Sequence, residues 1–152
     1  MPRKRVRESP PDAVPRLLVD TNVLLDVILA RTPWAEDGAL LLDATIHGTA
    51  KGYVAGHAIT TLYYVVEQER GRATAMTAVN YLLEILSVVP LGTNDFQCAS
   101  ALGLKDFEDA VHVAACLQIG ADFLVTRNER DFKGAPVRVR SPGEILAWLP
   151  RN

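Results

Sequence analysis

Cysteine is scarce: Cys98 and Cys116 are the two in 152 residues. Two thiols do not make a disulfide framework or a zinc site. Both fall in helix-like apolar patterns, where a buried small hydrophobe in a reducing cytoplasm is the expectation. Long apolar runs are also lacking. None reaches the roughly 18 residues that a membrane span needs, so no membrane is expected. Internal repeats and low-complexity tracts are absent, and 152 residues leave little room for a second domain.

Net charge is small, at −2, but it is unevenly placed. Residues 1–16 carry Arg3, Lys4, Arg5, Arg7 and Arg16 against Glu8 and Asp12, which is +3, so the remainder carries −5. The first 15 residues, "MPRKRVRESPPDAVP", are basic and proline-rich with no apolar core to read as a secretory signal. They read as a disordered arm that could help hold a polyanion, ahead of one domain over 16–150.

What is present is an alternation of short apolar strands with helical patterns. Strands are expected at 16–20, 52–56, 88–91, 122–126 and, as an edge, 137–139. Helices are expected at 21–30, from Pro33 to about His47 with Thr32 as cap, at 57–71, 72–87, 93–103, 106–120 and 141–149. Ser141, Pro142 and Glu144 form a capping-box signature for the last of these. This order implies an α/β fold: a three-layer α/β/α sandwich around a short, mainly parallel sheet. Ligands of such sheets bind at the carboxyl ends of strands.

Three acidic motifs lie there. Asp20 ends the first strand in "RLLVDTNVLLD". Asp106 and Asp109 open a helix in "LKDFEDAVHVAA". Asn128 and Asp131 follow a strand in "LVTRNERDF". At 100° per residue, Asp106 and Asp109 lie within about 60° of each other on the helix surface, while Glu108 points elsewhere. Two carboxylates one turn apart repel, and a hard divalent cation, Mg²⁺ or Mn²⁺, would relieve that repulsion. Each motif alone has a plainer reading: Asp20 as a helix N-cap, the others as acids favoured by the helix dipole.

Together, "LLVDTNVLLDVIL", "LKDFEDAVHVAAC" and "LVTRNERDF" resemble the PIN-domain nucleases, including the toxin halves of VapC-type toxin–antitoxin pairs. The resemblance spans about 16–149 with the motifs in order. It implies a ribonuclease in which Mg²⁺ or Mn²⁺ is held by clustered acids. Carried over, Asp20 is the first acid and Asp109 the acid of the later helix, with Asp106 an extra one beside it. Asp131 or Asn128 stands for the last. Asp20, Asp106, Asp109 and Asp131 are then the candidate catalytic and metal-binding residues, supported by Thr21, Asn22, Thr126 and Asn128. Arg127, Arg130 and Lys133, with Arg138 and Arg140 nearby, are candidates for RNA phosphates or else solvated loop charges. The resemblance also implies a small antitoxin partner and a homodimer. One departure stands out: many PIN domains carry a glutamate where this chain has Thr61, and Glu67 and Glu69 are two turns away.

Other residues read as structural. His112, one turn after Asp109, is expected to be satisfied or to support the site; His47 and His57 are expected to cap helices. Asp26 is expected to be structural, Trp34 exposed, Trp148 packed, and Tyr63 and Tyr64 divided between core and interface. Two other function classes compete. An aspartyl phosphotransferase would need an acid at Asn22, two residues after Asp20. A non-cutting scaffold that binds RNA or a protein partner is favoured by Thr61.

Overall fold

In the first strand, three successive residues, Leu17, Leu18 and Val19, are wholly buried. A strand with both faces apolar belongs in the middle of a sheet covered by helices on each side. The computed structural model, which describes residues 14–150, shows that arrangement. Leu17 and Val19 enter one core, and Leu18, pointing the other way, enters a second. Each such side chain contributes about 1.5–3 kcal/mol by leaving water. The basic arm expected over 1–15 lies, as far as residue 13, outside the described residues.

The elements run β1 (Arg16–Val19), α1 (Thr21–Ile28), α2 (Ala35–Ile46), β2 (Lys51–Ala55), α3 (Gly56–Arg70), α4 (Arg72–Ile85), β3 (Ser87–Val89), α5 (Thr93–Ala101), α6 (Phe107–Ile119), β4 (Phe123–Val125), a short 3-10 turn (Glu129–Phe132), β5 (Val139–Arg140) and α7 (Pro142–Trp148). All strand pairings are parallel, in the order β3-β2-β1-β4-β5. Buried residues of α1 to α4 and Ile145 of α7 fill one core. Val113, Ala115 and Cys116 of α6 fill the other, and Ala99 of α5 packs with Ala110, Val111 and Ala114 of α6. The fold is thus the three-layer α/β sandwich expected from the alternation.

Helix ends follow local chemistry. Ser141 and Glu144 make the reciprocal capping bonds, at 3.2 and 3.1 Å, with Pro142 in the first turn. Gly120 closes α6 in the left-handed region, φ 60°. Gly38 lets α2 lie close on α1: a Cβ there would stand 2.7 Å from Val27 Cγ2. Some boundaries differ from the sequence reading. α2 begins at Ala35 after an i+4 bond from Ala35 N–H to Arg31 O, leaving Thr32 and Pro33 ahead of it. Gly92, not Thr93 or Asn94, caps α5, because the Asp95 carboxylate accepts the Gly92 N–H at 2.8 Å. The last strand is Val139–Arg140, shifted from 137–139.

The order has one reversal. From β1 the chain builds outward through β2 and β3, then crosses to the opposite side of β1 for β4 and β5. The carboxyl ends of β1 and β4 therefore flank a topological switch point, where loops leave in opposite directions and a crevice opens. Asp20 follows β1 there, and Thr126 follows β4.

Candidate active site

Asp20 is the N-terminal boundary residue of α1, but its side chain makes no capping bond. It is 6% exposed, and its oxygens are otherwise employed. Thr126 Oγ1 donates to Oδ2 at 2.8 Å. His112 Nε2 lies 3.2 Å from Oδ1 and 3.3 Å from Thr21 Oγ1. Asp20 N–H is meanwhile held by Val125 O at 2.9 Å. A strand-end carboxylate that forgoes its cap and is gripped from two other segments, the end of β4 and α6, is positioned for something other than ending a helix.

Thr126 is the hub of this grip. Besides donating to Asp20, its hydroxyl accepts Asn22 Nδ2–H at 3.3 Å and the Asn128 backbone N–H at 3.1 Å. Thr126 is wholly buried. Thr21, Asn22, Thr126 and Asn128, the four expected supports, thus meet in one network around Asp20. Asn128 enters it through its backbone.

The other acids gather around Asp109. Asp106 caps α6, accepting Asp109 N–H at 3.0 Å. Burial raises the Asp109 pKa to about 7, helped by the negative charges of Asp106, Asp20, Asp131 and Glu108. Asp20 is itself raised to about 6 by burial, partly offset by the Thr126 donor. Asp106, Asp109 and Asp131 line one open cleft of about 570 Å³, together with Lys105, Arg130 and Lys133. The four expected acids therefore lie in one electrostatic neighbourhood. They are not drawn together tightly: among the described residues, the acids do not bring three carboxylates within single-ion reach of one another. As donors they are hard oxygens, two of them with raised pKa, which suits Mg²⁺ or Mn²⁺ and gives a cation charge to neutralise.

Arg127 differs from Arg130 and Lys133. Its Nε donates to Asp26 Oδ2 at 2.7 Å, and its guanidinium lies 4.3 Å from the centre of the Trp34 ring. Arg31 adds a longer contact to Asp26, at 3.9 Å. Asp26 is 1% exposed, so this pair closes the crevice wall between α1 and the loop after β4. Trp34 is exposed, and Trp148 packs edge-on against Phe123 at 5.1 Å. Tyr63 is half-buried and Tyr64 exposed.

Thr61 offers no replacement for a carboxylate, since its hydroxyl donates to His57 O at 3.3 Å. His57 does not cap: among the described groups both of its ring nitrogens are buried and without a hydrogen-bond partner. His47, by contrast, ends α2 with Nδ1 2.7 Å from Asp43 O. His112 is wholly buried, and burial beside His57 lowers its pKa to about 3. Its 3.2 Å contact with Asp20 is therefore that of a neutral ring rather than an ion pair, and the hydrogen-bond partner of Nε2 is Thr21 Oγ1.

The profile of the PIN domain family matches residues 16–130. The chain belongs to the PIN-domain family. Among solved structures, this PIN domain is similar to the VapBC2 complex of Rickettsia felis, solved with a promoter DNA fragment, at 15% identity. That match covers 83% of this chain and 98% of that one, with a TM-score of 0.64. A toxin–antitoxin complex from Klebsiella pneumoniae is 20% identical over 83% of this chain and 97% of its own, TM-score 0.64. VapC20 of Mycobacterium tuberculosis, a toxin that cleaves the sarcin–ricin loop, is 15% identical over 71% and 86%, TM-score 0.61. At such identities these likenesses show the fold. No curated protein sequence matches the chain significantly.

Proposed function

We propose that this PIN domain is a divalent-metal-dependent endoribonuclease, acting as the toxin of a type II toxin–antitoxin pair in the cytoplasm. One observation carries the reading. A buried carboxylate at the switch point, Asp20, is held by Thr126 and His112 beside an Asp109 that burial, and then the surrounding acids, keep hard to ionise. Such a group is costly to the fold, and a bound cation is what makes it useful. Asp20 and Asp109 would hold a Mg²⁺ or Mn²⁺ ion, with Asp106 and Asp131 completing the donor set or fixing water. The chemistry such an ion would supply, if held by these residues, is Lewis acidity towards water and towards the phosphoryl oxygens.

This chain's own residues do the remainder. Thr126 and His112 fix the orientation of the Asp20 oxygens. Arg130 and Lys133, in the cleft with Asp106, Asp109 and Asp131, attract flanking phosphates of RNA towards an otherwise anionic site. Met76 and Leu83, exposed seven residues apart on one face of α4, offer a place on which a second copy or a small antitoxin could settle. No helix among the described residues is long and apolar enough to cross a membrane.

The test is cleavage of RNA by the purified protein with Mg²⁺ or Mn²⁺, compared with an Asp20→Asn, Asp109→Asn double variant. Metal-dependent cleavage confined to the parent protein supports the reading, and equal cleavage by both overturns it. The engagement of Thr61 with backbone favours a second reading, a PIN scaffold that binds RNA or a protein partner without cutting. Calorimetric titration separates the two, since the scaffold has no need of Mg²⁺ or Mn²⁺.

A further inference from the structure

Beside the acids lies a second group of ligand-type side chains, of which the proposed chemistry uses only His112, and that to orient Asp20. Glu108 and His112 are one turn apart on the same face of α6, at i and i+4. His57 stands in the first turn of α3, where the chain leaves the carboxyl end of β2. A nitrogen from each histidine and a carboxylate oxygen of Glu108 all lie within 4.8 Å of one another, and among the described residues this is the one such group. The His57 and His112 ring centres are 4.6 Å apart. His57 Nε2 is 3.9 Å from Glu108 Oε1.

The hydrogen bonding of these rings is incomplete in a way that points to a ligand. Nδ1 of His112 is wholly enclosed and has no partner. Both nitrogens of His57 are enclosed and have none. Leaving a buried polar atom unpaired costs about 1–3 kcal/mol, and unpaired nitrogens on two adjoining rings call for an occupant between them. His112 already directs Nε2 at Asp20, which leaves the lone pair on Nδ1.

We propose that His57, Glu108 and His112 form a second metal site, selective for a borderline-soft divalent transition ion such as Zn²⁺ over Mg²⁺. Two imidazoles and one carboxylate match that preference, whereas Mg²⁺ favours oxygen. A tetrahedral Zn²⁺ site needs ligand atoms about 3.4 Å apart, given bonds near 2.0–2.1 Å. The present spacing must close by roughly an ångström, and Glu108, with its side chain 46% exposed, is the arm free to move. The exposed side of Glu108 also leaves room for water to complete the ion's coordination. Metal on His112 Nδ1 would keep the proton on Nε2 and so fix the donor that faces Asp20. The site stands independently of nuclease activity.

The experiment uses the full chain stripped with a chelator and titrated with Zn²⁺ by calorimetry, and with Co²⁺ followed by its visible absorption. With Mg²⁺ in excess to occupy the acid cluster, the expected result is one equivalent bound, with the intense bands of a low-coordinate Co²⁺ site. His57→Ala and Glu108→Gln each weaken binding tenfold or more. Both positions are partly exposed, so both variants are expected to fold. Asp109→Asn leaves the Co²⁺ spectrum unchanged, which separates this site from the acid cluster. Absence of stoichiometric binding by the parent chain overturns the proposal. So does binding that survives both substitutions, or binding that Asp109→Asn abolishes.

Discussion

Two ligand-type clusters share the carboxyl edge of one sheet, and they are built on opposite principles. The acids around Asp109 are like-charged, largely solvent-facing and spread along an open cleft. The histidines by β2 are neutral, enclosed and close together. Carboxylates cannot be gathered ahead of a cation without paying repulsion, whereas neutral imidazoles can be packed like small aromatics. Asp20 belongs to both neighbourhoods. One oxygen faces His112, and the carboxylate as a whole adds to the negative field at Asp109.

The largest effect should come from the residue the two neighbourhoods share. Asp20→Asn keeps the shape of the side chain and can still meet Thr126. It removes the charge that the proposed metal site depends on. RNA cleavage should fall by about 100-fold or more, to the limit of detection, with the fold intact by circular dichroism. Cleavage within a few-fold of the parent would mean that the acid cluster is not the reaction centre.

Next in size is the hub. Thr126→Val leaves Asp20 Oδ2, Asn22 Nδ2 and the Asn128 N–H without their common partner. Residues that orient metal ligands typically matter by 10–100-fold, so Mg²⁺ or Mn²⁺ affinity should drop about tenfold by calorimetry. Thermal stability should fall too, by about 1–3 kcal/mol for the groups left unpaired. If metal affinity holds while stability falls, the network is structural and does not position the acid.

These first two tests rest on features that the sequence displayed openly. Asp20 directly follows β1 and Asp131 lies in the turn after β4, so the rule that strand ends carry function singles them out, whereas Asp109 opens α6 after another helix, α5, and stands out by its one-turn spacing from Asp106. Thr126 is named through the PIN-domain resemblance. The alternation of apolar strands and helices likewise exposed the three layers. Its boundaries drifted where a neighbour outbid the local signal, as when Asp95 reached back to make Gly92 the cap. The histidine cluster was harder to see. Helix angles correctly turned Glu108 away from Asp109, but what it faces, His57, is 51 residues earlier and arrives through the sheet. The Glu108–His112 spacing on α6 was the available hint. The Arg127–Asp26–Trp34 group shows the same limit: three segments meet that no local pattern links.

Charge crowding gives a third test, this time of stability against function. The Asp109 pKa in the fold, about 7, lies above its ordinary 3.8. Between those values the folded chain binds more protons than the unfolded chain, so stability falls as pH rises from about 4 to 7. Asp109→Asn removes that penalty. In a chelating buffer at pH 8 it should stabilise the fold by about 1–2 kcal/mol, allowing for solvent screening of this half-exposed group. The gain should shrink towards zero near pH 4, while RNA cleavage is lost. Thermal melts across that range decide it, and destabilisation at pH 8 would refute the crowded-acid picture.

The smallest effect concerns how an anionic edge attracts an anionic substrate. Lys133 and Arg130 line the acidic cleft, whereas Arg127 is tied to Asp26 and Trp34. Lys133→Gln or Arg130→Gln should weaken RNA binding a few-fold and lower the salt dependence by about one phosphate contact each, with melting unchanged. Arg127→Gln should do the reverse. It leaves the buried Asp26 carboxylate without its closest cation, so melting should fall while the salt slope stays. Fluorescence anisotropy across a salt series separates the two classes. If Arg127→Gln flattens the salt slope as Lys133→Gln does, RNA reaches the crevice wall at Trp34, and the phosphate path runs along β4 as well as along the cleft.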